Sequence, residues 1–161
     1  VGVFAHNPPA LVDAVLSLTQ LPADARVEIG RQSVPLAEAL RRERDLALPG
    51  KTLLQNWAQW SDTNELRQLS EDGKRSRDWL KQHHVLDLLH VFPARAPSAQ
   101  HLVDALRPLQ PRLYDVANYV SADTDELELL VKRFGAGHHG PLVALLGPPA
   151  QATHPVLYGP G

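Results

Sequence analysis

Between Pro35 and Arg107 the chain passes through a series of short apolar-periodic runs, each broken by glycine, proline or polar residues, and after Arg107 that periodicity stops. Apolar residues three and four apart line one face of a helix, whereas strict alternation marks a strand. Leu36, Ala39 and Leu40 make one such face, and Leu53, Leu54 and Trp57 the next. Further runs cover Thr63 to Leu69, Ser76 to Gln82, His84 to Phe92 and Ser98 to Leu106. The short breaks between them predict a compact helical bundle. Beyond Arg107, prolines and β-type residues take over, which puts a boundary near residue 107.

The rest of the chain reads in the same terms. Val3 and Phe4 are expected in a strand. Asn7-Pro8 predicts a helix start, since an Asn side chain accepts from free amides and proline suits the first helical turn. That helix should run to about Leu18, with Leu11, Val12, Val15, Leu16 and Leu18 on its apolar face, and stop at Leu21-Pro22. Arg26-Val27-Glu28-Ile29, Gly30 and Val34 predict a small hairpin. After residue 107, Arg112 to Asn118 reads as a strand, and Leu127, Leu129 and Val131 alternate in a second that pairs antiparallel with it. Gly135-Ala136-Gly137 reads as a turn, Pro141 to Leu146 as a short helix and Pro155 to Tyr158 as a last strand. The expected class is α+β and mostly helical.

Composition narrows the function. With 161 residues, 43% of them hydrophobic and 21% charged, the chain has the make-up of a soluble globular protein. It has no cysteine, which removes disulfides, thiolate ligands and a cysteine nucleophile, and leaves the cytoplasm as the expected location. Sixteen basic residues against eighteen acidic ones lack the excess that phosphate backbones attract, so no nucleic-acid partner is expected. The apolar run in the first twenty residues has no basic residue before it and is interrupted by Asp13, which argues against a signal peptide or membrane span. The chain begins Val1-Gly2-Val3-Phe4 without methionine and stops at Tyr158-Gly159-Pro160-Gly161, so both ends read as cut. Nucleophile-elbow, phosphate-loop and zinc-helix signatures are missing from it.

Several segments carry a family resemblance. Leu106-Arg107-Pro108-Leu109-Gln110-Pro111-Arg112-Leu113-Tyr114-Asp115-Val116-Ala117-Asn118-Tyr119 resembles the flavin-contacting strand of NADPH-dependent diflavin reductases. Gly2-Val3 with Asn7-Pro8 resembles the exit from that family's flavin barrel into its connecting helices, and Val85-Leu86-Asp87-Leu88-Leu89 with Phe92-Pro93 resembles a signature in the middle. The resemblance covers nearly the whole chain and is nearest to the sulfite reductase type. It implies four parts: residues 1–7 ending a barrel strand, 8–107 a helical connecting domain, 108–153 a partial antiparallel FAD-binding barrel like that of ferredoxin reductases, and 154–161 the start of an NADPH-binding domain. In that family electrons pass from NADPH through FAD to FMN on a flavodoxin-like domain. The implied partners are that FMN domain and the NADPH domain, in the same chain or another, and no membrane.

The same resemblance implies site residues. Arg112 would neutralise the FAD pyrophosphate, Tyr114 would stack on the isoalloxazine, and Asp115 would lie near its reactive edge. Gly137, His138 and His139 stand where the family places a second pyrophosphate contact, without its hydroxyl. Asp115, Asn118 and Tyr119 depart from the family pattern of Arg-x-Tyr-Ser followed by Ile-Ala-Ser-Ser. The implied product is a region of a flavoprotein oxidoreductase that is not active alone, with no catalytic side chain of its own. The alternative is a ligand-free helical interaction or spacer module.

Other groupings have simpler readings. His83, Asp87 and His90 fall at i, i+4 and i+7 and would share a helical stripe, but the apolar stripe of Val85, Leu88, Leu89 and Phe92 takes the core, leaving the histidines in water and no metal assigned. Adjacent His138 and His139 read first as exposed loop residues, and Pro108 and Pro111 as a rigid helix exit. Trp57, Trp60 and Trp79 read as helix-packing residues.

Overall fold

The computed structural model of the chain describes residues 2–113. In order, these form β1 (Gly2–Val3), α1 (Pro9–Thr19), β2 (Arg26–Ile29), β3 (Gln32–Pro35), α2 (Leu36–Arg42), α3 (Lys51–Trp60), α4 (Asn64–Glu71), α5 (Gly73–Gln82), α6 (Val85–Val91), α7 (Ala99–Ala105) and β4 (Arg112–Leu113). The mostly helical α+β class holds. The chain divides into two units, one of residues 7–109 and one of residues 1–6 with 110–161.

The helical unit is built on one apolar cluster running from Val12 to Leu106. Its largest fully buried side chain is Trp57, with Leu36, Leu40, Leu46, Leu53, Leu54, Leu66, Leu88, Leu89 and Leu102 around it. Each such leucine contributes roughly 1.5–3 kcal/mol by leaving water. The indole Nε1–H of Trp57 donates to Phe92 O at 2.7 Å, so its single polar atom is satisfied inside the core. α1 packs on α2 and α6, α3 on α4 and α7, and α2 on α7. The β2–β3 hairpin turns through Gly30 at φ 61° and pairs Val27 with Val34, burying Val27. Glycine suits that left-handed turn because a side chain would be strained there.

The free edge of β2 is covered by a side chain. Gln100 on α7 accepts from Glu28 N at 2.7 Å and donates to Glu28 O at 3.2 Å, so its amide stands in for a neighbouring peptide. After α7 the chain runs antiparallel to residues 43–45, with Asp45 N donating to Arg107 O and Leu109 N to Glu43 O.

Two local expectations change. Asn7 does not cap α1, which begins one residue later, with Pro8 at the N-cap and no side-chain cap bond. Its Nδ2 instead donates to Leu40 O and Arg44 O, both at 2.6 Å, and its backbone N–H to Arg41 O at 2.9 Å. Those carbonyls close the C-terminal end of α2, where helical partners run out. Nor do His83, Asp87 and His90 share a helix. α6 starts at Val85, and His83 has extended backbone between α5 and α6. Asp87 is also engaged, accepting from His84 N at 2.6 Å.

In the second unit, β1 and β4 pair antiparallel, with Gly2 opposite Leu113 and Val3 opposite Arg112. The described β structure thus consists of two separate two-stranded sheets, and no closed barrel is present among the described residues. The strand expected from Arg112 onward is seen for its first two residues. Its expected partner at 127–131, the turn at 135–137, the helix at 141–146 and the strand at 155–158 all lie outside the described residues.

Candidate functional site

The β1–β4 pair positions the one expected site residue that is described. Arg112 is exposed at the strand, directly across from Val3, whose own side chain is buried. Alternation along a strand sends Arg112 and Leu113 to opposite faces, and Leu113 is 83% exposed. The one side-chain ion pair among the described residues joins Arg42 to Glu38, so no described carboxylate takes the Arg112 guanidinium. An exposed guanidinium can grip an anion through two parallel N–H bonds. Tyr114, Asp115, Gly137, His138 and His139 lie outside the described residues.

Three histidines of the helical unit, His83, His84 and His101, are employed locally. His83 stacks flat on Trp79, with ring centroids 4.1 Å apart and planes 3° from parallel, and its Nδ1 lies 2.9 Å from Trp79 O. His84 Nδ1 lies 3.0 Å from Ala47 O. His101 contacts the Ser98 hydroxyl at 2.8 Å and the edge of Trp60. Among the described residues no group of three or more His, Cys, Asp or Glu side chains is placed to hold a metal ion. No helix among them is long and apolar enough to cross a membrane.

A groove of about 440 Å³ lies between α1 and α6, lined by Ala14, Ser17, Leu18, Leu86, Asp87, His90 and Val91. Sequence periodicity did not mark it, because Leu18 reads as core. In the fold Leu18 is 36% and Val91 59% exposed.

No family model matches the chain. Among curated proteins, it is 35% identical over 142 residues to the "Sulfite reductase [NADPH] flavoprotein alpha-component" of Shewanella sp. (strain ANA-3), covering 86% of this chain and 24% of that protein. The proteins of the same name from Mannheimia succiniciproducens and Neisseria meningitidis serogroup A are 32% and 30% identical over 139 residues, each match covering 86% of this chain and 23% of the relative. The chain is thus homologous, at the level of the family, to a segment of the sulfite reductase flavoprotein alpha-component, and it spans about a quarter of the length of the relatives it matches.

Proposed function

We propose that the chain is the connecting and FAD-contacting region of an NADPH-dependent flavoprotein oxidoreductase of the sulfite reductase type. The observation that carries this reading is the β1–β4 pair. The segment resembling the exit from a flavin barrel and the segment resembling the return to it are antiparallel neighbours, with the helical unit between them. A connecting domain inserted into a barrel requires that arrangement. The homology over 142 residues supports it.

FAD, when bound, accepts hydride from NADPH and releases electrons one at a time. The chain's part is to bind and orient. Arg112 holds the pyrophosphate, Tyr114 covers one face of the ring and excludes water, and Asp115 places a carboxylate near its reactive edge. Backbone amides around Gly137, His138 and His139 supply the second phosphate contact. On this reading residues 108–153 form part of the barrel and 154–161 begin the NADPH domain, with FMN held by a flavodoxin-like partner domain. The work is done in the cytoplasm, and the chain by itself is inactive.

The test is FAD titration of a longer polypeptide that supplies the flanking segments of the relatives. Bound flavin should shift its visible bands and raise the melting temperature. Arg112→Ala should weaken binding by about 10–100-fold, the worth of one charge-assisted contact. If saturating FAD gives neither a shift nor thermal stabilisation, the chain is a ligand-free spacer instead.

A further inference from the structure

α5 is secured at both ends and rests on the core through two half-buried side chains, Trp79 and Leu80. At its start the Asp72 carboxylate accepts from Lys74 N and Arg75 N, both at 3.0 Å. At its end the His83 Nδ1 meets Trp79 O, and the His83 ring lies flat on Trp79. Between these caps Ser76 is the one buried residue. A helix is ordinarily held by an apolar face, and here the end caps add to the small one that Trp79 and Leu80 provide. The face that remains is outward. Lys74, Arg77 and Lys81 recur at i, i+3 and i+7 and are all exposed, with Arg75 beside them. Asp78 is the one carboxylate within the row, and it stands in no ion pair with them; Asp72 is already occupied by the helix start, and Glu71 ends the preceding helix.

We propose that this row is a docking surface for an acidic protein segment, one presenting carboxylates along a helix. From Lys74 to Lys81 the row extends about 10 Å, two turns, which matches carboxylates spaced i, i+3 and i+7 on a facing helix. Cationic side chains without internal partners have no ion pair to give up on pairing across an interface, and they steer the encounter of opposite charges. Nucleic acid fits less well, because the chain as a whole carries a net charge of −2. Relatives hold most of their length beyond the matched segment, so further protein surface is at hand in such proteins. This surface requires no flavin, and it stands or fails apart from the proposed function.

The test uses the full chain and fluorescein-labelled poly-L-glutamate, read by anisotropy at low and physiological salt. Wild type should bind in a salt-sensitive way, and K74Q/R77Q/K81Q should bind about tenfold more weakly. The charge-matched variant R31Q/R41Q/K51Q, on other elements, should lose no more than about twofold. Circular dichroism melts establish that both variants are folded. Equal losses in the two variants, no loss in the first, or binding of single-stranded DNA without binding of polyglutamate would each overturn the proposal.

Discussion

Asn7 carries more structure than any other polar residue described. Its side chain joins the segment before α1 to two carbonyls at the end of α2, and it is 1% exposed. Asn7→Ala leaves those carbonyls without their donor and should destabilise the protein by about 1–3 kcal/mol in urea unfolding. Asn7→Asp should cost more, since a carboxylate facing two carbonyls has nothing to donate. Asn7 Oδ1 has no partner, so it is the Nδ2 donors alone that the site uses. The sequence marked Asn7 as important but for the wrong bond. A cap is a local pattern, whereas this contact reaches residues more than thirty positions away, which periodicity does not encode. On the proposed reading Asp115 is the corresponding residue of the flavin site. Asp115→Ser should raise the flavin reduction potential in the longer polypeptide by removing negative charge beside the reduced ring, and an unchanged potential would remove Asp115 from that place.

Among the elements, α5 and α3 show how ends are set. The backbone amides of Arg75 and then Lys74 hold the Asp72 carboxyl below the ordinary aspartate range. Its folded pKa is thus depressed, so the cap stabilises α5 fully above the unfolded value and is lost as pH falls through the folded one. Helicity should therefore fall in acid, below about pH 4, and Asp72→Ala should flatten that dependence while lowering helicity at neutral pH. At the start of α3, a Cβ added to Gly50 would lie 2.8 Å from Arg107 Cγ. Gly50→Ala should therefore destabilise wild type more than an Arg107→Ala background, with a coupling of about 0.5 kcal/mol or more in a double-mutant cycle. Most helices were legible from their apolar faces: Leu53, Leu54 and Trp57 mark α3, and Val85, Leu88 and Leu89 mark α6. The break before Val85 was legible as well, since separate helices are expected over Ser76 to Gln82 and His84 to Phe92, and α5 ends at Gln82 while α6 starts at Val85. The spacing of His83, Asp87 and His90 misled, because i, i+4 and i+7 suit one helical stripe whereas His83 lies outside both helices.

For the whole molecule, the loss of helical periodicity puts an expected boundary near residue 107, and the compact helical unit comprises residues 7–109. What periodicity could not give is the partner of β4. Pairing between β1 and β4 links residues at opposite ends of the described chain, and no local pattern specifies it. Arg112 was legible only through resemblance, because a lone strand arginine carries no chemistry of its own. The same pairing has a kinetic meaning. Bringing Gly2 to Leu113 closes a loop of roughly a hundred residues, which an unfolded chain does slowly and at a cost in entropy. The helical unit, with its short-range contacts, should form first and deliver both strands to one another. Hydrogen exchange during refolding should then protect the amides of α3 and α6 before those of β1 and β4. The helices between the strands act as the scaffold on which the last pairing is assembled, and a mutation that slows them should delay the strands by the same factor.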